Sequence, residues 1–297
     1  MPTAAARARR FERITSVLAC PRCRGRLQFS SDAASCAACG VRFPIRDERI
    51  YFIDVAKRAD DFDRLKGWLK KRLGRAYYSI GVRVLAPTFP MNFARRVQRH
   101  VDPAAALVVD AGSGNHRLHP DIICVDMFDY DEVDVVCMLD ALPFRAGAVD
   151  AFVSRSVLEH VAAPHAVVAE FHRCTRAGGV GVHVIPFLYP FHASPGDYHR
   201  FTHRGHELLF ADWVTVERMN PTGPVSVALL HAIEMISTVF SFGFASAKSV
   251  VYLGLCGLLF PLKFLDAPFV GRPAFMGCAA SILSVIRKPA DDVTSRV

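Results

Sequence analysis

The chain has 297 residues, 52% of them apolar, which suffices for one large domain or two small ones with an ample core. Charge is uneven: residues 1–100 hold 22 Lys/Arg against 8 Asp/Glu, and residues 101–297 hold 14 against 20, for a formal net charge of +8. A basic front suits an anionic partner (nucleic acid, a membrane surface or an acidic substrate) or simply a well-solvated surface.

The N-terminus, MPTAAARARRFERITSVLACPRC, has no apolar run of signal-peptide length, so a cytoplasmic chain is expected. In that setting nine cysteines argue against a disulfide scaffold and for metal ligation plus packed thiols. Cys20-x2-Cys23 and Cys36-x2-Cys39 stand twelve residues apart. Each pair sits on a tight turn that aims two thiolates at one point, and two such knuckles complete a tetrahedral S4 site suited to structural Zn²⁺. Cys124, Cys137, Cys174, Cys256 and Cys278 lie singly in apolar runs and read as packed thiols. The pattern L-x-C-P-x-C-x-G-x-L followed by C-x-x-C-G-x-x-F-P-I-R-D resembles the small zinc-ribbon family that activates tRNA and protein methyltransferases and also occurs fused to them. Over residues 14–55 that resemblance implies a structural metal and a docking role.

Residues 56–100 form a basic helical connector. Trp68, Leu69, Leu73 and Tyr77 recur at helical spacing with Lys66, Lys70, Lys71, Arg72 and Arg75 between them, which suits packing on the protein itself, a membrane surface or phosphates. Pro87 and Pro90 end the pattern before a short helix, Phe93–Val101.

From Leu107 strand and helix alternate. The expected strands are Leu107–Asp110, Ile122–Asp126, Val133–Met138, Ala151–Ser154 and Val180–Ile185. One clear helix starts at Pro164, buries Val167, Val168, Phe171 and Cys174, and stops at Gly178-Gly179. The fold class is therefore α/β, a Rossmann-like, mostly parallel sheet. Ligands of such sheets bind at the carboxyl ends of strands, where Asp110, Asp126 and Asp140 stand. Gly112 and Gly114 let the backbone approach a ligand closely.

The ordered marks D-A-L-P-F (Asp140–Phe144), V-D (Val149-Asp150), V-L-E-H-V (Val157–Val161), E-x-x-R (Glu170–Arg173) and G-G (Gly178-Gly179) resemble a class I S-adenosylmethionine-dependent methyltransferase of the type-11 group. The resemblance implies that Asp110, Gly112 and Gly114 line the methionine part of the cofactor, Asp126 holds the ribose, and Asp140 with Ala141 lies by the adenine. It also implies that Ser154 and Arg155 face the sulfonium and the acceptor. Two departures stand out. The third small residue of the glycine motif is Asn115, and the crossovers Asn115–Asp121 and Met127–Glu132 are too short for helices, where about a dozen residues are usual. One sheet face thus lacks two covering helices, and bare apolar surface costs about 25 cal/mol per Å². The helices of 62–100 and the apolar C-terminal segment are the candidate covers.

After the fifth strand, PFLYPFHASPGDYHRFTHRGHELLF is dense in donors: His192, Asp197, Tyr198, His199, Arg200, His203 and His206. An oxygen or nitrogen acceptor must lose a proton, which suits a histidine, so His192 and then His160 are the candidate bases. Asp197, Tyr198 and Arg200 are candidate substrate contacts, although Asp197 and Arg200 also suit pairing with each other. A metal site within 192–206 is disfavoured because the histidine spacing is not ligand-like.

Residues 225–262 carry only Glu234 and Lys248 as formal charges, and no uncharged run reaches the roughly eighteen residues of a spanning helix. Three arrangements fit: buried helices capping the bare face, a hairpin dipping into one leaflet, or a greasy acceptor tunnel. The expected organisation is a zinc ribbon at 14–55, the connector at 56–100, a methyltransferase domain at 101–224 and an apolar helical segment at 225–288. The expected activity is methyl transfer from S-adenosylmethionine to a small or lipid-linked acceptor, with peripheral contact at the inner face of the membrane. A degenerate domain serving as a scaffold, and an RNA or protein methyltransferase, are the alternatives.

Overall fold

The computed structural model describes residues 4–55, 72, 84–192 and 196–290. The basic stripe around Trp68 lies outside the described residues, apart from Arg72.

Eleven strands form one sheet: β1 (Leu27–Phe29), β2 (Ala33–Cys36), β3 (Arg42–Arg46), β4 (Arg49–Tyr51), β5 (Val108–Ala111), β6 (Ile123–Asp126), β7 (Val135–Val136), β8 (Val149–Arg155), β9 (Thr175–Pro186), β10 (Val214–Met219) and β11 (Ser281–Arg287). Their order is β1-β2-β3-β4-β7-β6-β5-β8-β9-β11-β10. Every pair from β4 through β9 is parallel, and the strands outside that block pair antiparallel. The expected Rossmann-like sheet is present, and its strand order reverses between β5 and β8, the switch point at which such sheets hold ligands.

The ribbon is continuous with this sheet. Ile50 and Tyr51 of β4 pair in parallel with Val135 and Val136 of β7, closing an edge that would otherwise offer unpaired backbone groups. Leu18, Leu27, Phe43, Ile45 and Phe52 pack into the same core as Val109, Ile123, Val125, Phe152 and Phe171. The helix Pro164–Cys174 lies over this face with Val167, Val168, Phe171 and Cys174 buried, as its periodicity requires. It ends at Cys174, however, and Gly178-Gly179 fall inside β9 rather than at a helix stop. Gly178 adopts φ +72°, and a Cβ on Gly179 would meet the Asp150 carbonyl oxygen at 2.8 Å, so the pair serves a bend in the strand.

No helix follows β5 or β6, as the short crossovers demand. A buried ion cluster occupies this end of the sheet. Asp134 receives Arg10 Nε at 2.9 Å from the N-terminal helix Ala4–Thr15, Arg117 Nη1 at 2.9 Å from the first crossover, and the Cys124 backbone N–H. Arg117 also holds Glu132 at 2.9 Å. The N-terminal helix, whose first turn carries no acidic residue, is thereby fixed by its arginines: Arg13 donates to the Asp121 and Ala106 carbonyl oxygens.

The other face is covered by the short helix Phe93–Gln98, whose Phe93 and Val97 pack on Val108, Ala151, Val153, Val182 and Val184. The C-terminal helices are not its cover. Pro224–Val239 and Ala245–Leu259 form a hairpin that packs mainly on itself through Leu229, Ile233 and Cys256. Its N-terminal end is capped by the buried Asp266, which accepts from Gly223, Val225 and Ser226 N–H groups. Beyond it, Ser281–Arg287 returns as a central strand between β9 and β10, so the apolar segment expected at 225–288 ends as part of the sheet.

Candidate functional site

The first strand end turns through Gly112 (φ +70°) and Gly114 (φ +58°), conformations that a side chain would strain. A Cβ on Gly112 would meet Val157 at 2.6 Å, whereas nothing lies within 4 Å of one on Gly114, which faces open space. Asp126 ties this turn to the second strand end: Gly114 N–H donates to one carboxylate oxygen at 2.9 Å and Phe128 N–H to the other at 3.0 Å. Each oxygen keeps a lone pair for a further donor.

Asp110 and Asp126 are both buried. Burial pushes the Asp110 carboxyl up to about 7 against the pull of Arg155 and Arg117, and Asp126 adds to the rise. Asp126 is raised by burial as well, opposed by the Phe128 and Gly114 N–H groups. Two desolvated acids at neighbouring strand ends favour a cationic ligand at the switch point. Arg155 is exposed and packs its guanidinium 5.8 Å from the Phe93 ring centroid. Asp140 is exposed and Ala141 partly buried on a short turn after β7. Ser154 stands apart. It is fully buried in β8 and its hydroxyl is 2.8 Å from His183 Nδ1, which leaves it no surface toward the strand ends.

The loops after β8 and β9 meet beside this turn. His160 and His192 approach edge to face with centroids 5.0 Å apart, and Tyr189 packs on His192 at 5.0 Å. Glu159, fully buried, faces both rings, 3.7 Å from His160 Nε2 and 3.6 Å from His192 Nε2. Burial lowers the His192 pKa, but Glu159, the Pro190 carbonyl and Asp197 outweigh it and raise the value above that of a free histidine. Asp197 and Arg200 do pair: Arg200 Nη2 reaches Oδ2 at 2.6 Å, holding the Asp197 pKa down to about 2. Asp197 also accepts the His192 N–H at 2.8 Å, and Arg200 clasps the Tyr189 and Pro190 carbonyls, so the pair is a strut for the His192 loop. Tyr198 projects into solvent at 61% exposure, while its N–H donates to the Glu159 carbonyl.

Two buried histidines nearby are structural. His206 is buried against Ser284 at 2.9 Å, and burial drives its pKa down to about 3. His183, stacked between Phe171 and Phe210, is likewise neutral at about 3. The E-x-x-R mark is a clamp: Arg173 Nε and Nη2 reach Glu170 at 2.7 and 2.8 Å, and Arg24 of the ribbon joins them at 3.1 Å. Glu159 is the residue that sequence reading passed over as part of that motif series, and the tight L-E-H spacing was its signal.

In the ribbon the four sulfurs of Cys20, Cys23, Cys36 and Cys39 lie within 4.8 Å of one another, the donor set of a closed tetrahedral metal site. Backbone N–H groups of Cys39 and Ala38 lower the Cys36 thiol to about 6. A Cβ on Gly25 would meet Ala38 at 2.8 Å and two of the sulfurs at 3.2 Å, which explains the glycine.

Residues 100–182 match the model of a methyltransferase domain, and residues 12–48 match that of Trm112p-like proteins. Similar solved structures include a complex containing the Haloferax volcanii Trm112 methyltransferase activator, at 17% identity over 77% of this chain and 100% of that one, with a TM-score of 0.40. Phosphoethanolamine N-methyltransferase 2 of Haemonchus contortus, bound to S-adenosyl-L-methionine, gives 14% identity over 75% and 60%, with a TM-score of 0.47. Geranyl diphosphate C-methyltransferase of Streptomyces coelicolor A3(2) gives 14% over 79% and 85%, at 0.42. No curated protein sequence matches the chain.

Proposed function

From a chain that carries a methyltransferase domain over residues 100–182 and a Trm112p-like domain over residues 12–48, we propose S-adenosylmethionine-dependent methyl transfer to a small or lipid-linked acceptor. The observation that carries this reading is the buried pair Asp110 and Asp126 beside the open glycine turn at the switch point. Buried carboxylates short of counter-charge suit a ligand with a sulfonium and an ammonium group. Asp110, Gly112 and Gly114 would hold the methionine part, Asp126 the ribose, and Asp140 with Ala141 the adenine. Bound there, the cofactor supplies an electrophilic methyl group on sulfur.

The rest falls to the chain. The acceptor sits at the loops after β8 and β9, where Arg155 and the His160–His192 pair lie. Displacement at a methyl carbon is in line, so rate comes largely from holding the acceptor atom in position. For an oxygen or nitrogen acceptor, His192 takes the proton, its base strength raised by Glu159 and its orientation fixed by the Asp197–Arg200 strut. The ribbon holds structural Zn²⁺ and covers the sheet core. Calorimetry of the folded, zinc-loaded protein with S-adenosylmethionine tests this: micromolar-range binding lost in D110A is expected. No binding would leave the scaffold alternative standing instead.

The hairpin favours a lipid-linked acceptor over a soluble one. Phe240, Phe242 and Phe244 at its tip and Met235, Val239, Val250 and Leu258 on its sides are exposed, and its two formal charges, Glu234 and Lys248, pair with each other. The helix Ala245–Asp266 is apolar enough to cross a membrane yet only 22% buried over its apolar window. Lys263 at its base donates to the Val84 and Ala86 carbonyls. An exposed apolar tip of this kind suits insertion into one leaflet, and the basic front half of the sequence suits an anionic one. Flotation with anionic vesicles is expected, and its loss in F242S/F244S. RNA is the poorer partner to the extent that Arg10, Arg13, Arg24 and Arg49 of the basic front are committed to acids or carbonyls within the fold.

A further inference from the structure

Glu159, His160 and His192 converge at the proposed acceptor site, and their facing atoms are not joined by a hydrogen bond. Neither carboxylate oxygen of Glu159 has a hydrogen-bond partner, although the side chain is fully buried. In both rings the far nitrogen is already committed. His160 Nδ1 meets the Gly196 carbonyl oxygen, and His192 Nδ1 meets the Pro190 carbonyl oxygen at 3.2 Å. Arg200 Nη2 also lies 3.4 Å from His192 Nδ1, but its two hydrogens go to Asp197 Oδ2 at 2.6 Å and the Pro190 oxygen at 3.0 Å. A carbonyl oxygen only accepts, so Nδ1 carries the proton in each ring, and in the neutral tautomer Nε2 presents a lone pair.

Three lone-pair atoms therefore point at one place. Glu159 Oε1 lies 3.6 and 3.7 Å from the two Nε2 atoms, and all ligand atoms fall within 4.8 Å of one another. Ligand bonds of about 2.1 Å at near-tetrahedral angles put donor atoms about 3.5 Å apart. The carbonyl-bound Nδ1–H groups are the outer contacts that orient metal-binding histidines. We propose that Glu159, His160 and His192 bind a divalent first-row metal ion, separate from the ribbon's metal, and that this ion receives the acceptor's hydroxyl oxygen. The His2Glu set leaves coordination positions open, and His192, whose side chain is 35% exposed, gives access from solvent. Nitrogen and oxygen donors here and thiolates in the ribbon also select different ions, so the two sites need not compete.

This deepens the methyl-transfer reading and rests on it. On the ion the acceptor hydroxyl loses its proton to solvent. The resulting oxygen attacks the sulfonium methyl, the O–C bond forms, the S–C bond breaks, and sulfur keeps the electron pair as S-adenosylhomocysteine leaves. The two histidines then serve as ligands, and with its Nε2 lone pair on the ion His192 no longer acts as the base, whose part passes to the metal. Asp197 and Arg200 are positioning residues for His192.

The test is titration of the full chain, ribbon zinc in place, with Mn²⁺, followed by loss of the free-ion EPR signal. One Mn²⁺ per chain is expected, bound at least tenfold more weakly by E159Q and weakened about 10–100-fold by D197N. Zinc content and thermal melting of E159Q should match the parent, which separates ligand loss from misfolding. Failure of the folded parent to bind Mn²⁺ or Co²⁺, or undiminished binding by E159Q, overturns the site. Calorimetry with S-adenosylmethionine on the same samples distinguishes the two readings. Cofactor binding without metal binding sinks this inference alone, while metal binding without cofactor binding supports the site and removes its acceptor role.

Discussion

The two ends of the sheet carry additions of opposite character. At one end the ribbon is joined by parallel backbone pairing of β4 with β7, shares a core with the central strands, and is tied by Arg24 to Glu170. At the other end the hairpin, inserted between β10 and β11, packs mostly on itself and leaves a run of phenylalanines exposed. The ribbon has used its apolar surface within the chain, whereas the hairpin has kept its own free. Additions of the first kind raise stability. Those of the second kind remain available to something outside.

The largest expected effect comes from the ribbon. Stripping the proposed zinc with a chelator should remove on the order of 10 kcal/mol of metal-linked folding energy. Because β4 is part of the sheet, calorimetry should show the whole chain melting earlier in one transition, and an unchanged main transition would break the comparison. Next is Asp134, buried between Arg10 and Arg117. D134A strands two buried guanidinium groups and should cost about 3–5 kcal/mol in urea denaturation.

Asp110 contributes in the opposite sense. Its pKa, about 7 in the folded chain, lies above that of an unfolded aspartate. The folded state therefore binds the extra proton, and stability present at low pH is lost as pH rises from about 4 through about 7. That loss amounts to a few kcal/mol at about 1.4 kcal/mol per unit. Denaturation midpoints across this range should slope downward for the parent and flatten in D110N. A cationic ligand should bind more tightly as pH rises through the same range. The smallest effect belongs to the hairpin tip: F242S/F244S should change stability by no more than about 0.5 kcal/mol. A larger loss would mean that the tip is part of the core after all.

Much of this organisation was legible in the sequence. The paired cysteines, the stripe Val167-Val168-Phe171-Cys174 and the acids at strand ends follow from spacing alone, because each depends on neighbours close in the chain. The short crossovers correctly foretold missing helices, but not their replacement, since Arg10, Arg117 and Asp134 meet only in three dimensions. The strand Ser281–Arg287 was hidden because a fully buried strand has no alternation to separate it from the apolar helices before it. Gly178-Gly179 look like a helix stop and prove to be a strand bend, and Ser154 turns inward to His183. The histidine spacing in 192–206 argued against a metal site within that stretch, and it is silent on a histidine there that pairs with another loop. The cluster at Glu159 draws on two loops instead, which no single-segment motif can reveal.

Covalent fusion gives the β4–β7 pairing a further meaning. A ribbon supplied as a separate chain would associate according to its concentration and would be shared among whatever partners displayed a matching edge. Here the pairing is intramolecular, at an effective concentration set by the chain itself. Dilution cannot remove it, and a competitor with a similar strand meets an edge that is already taken.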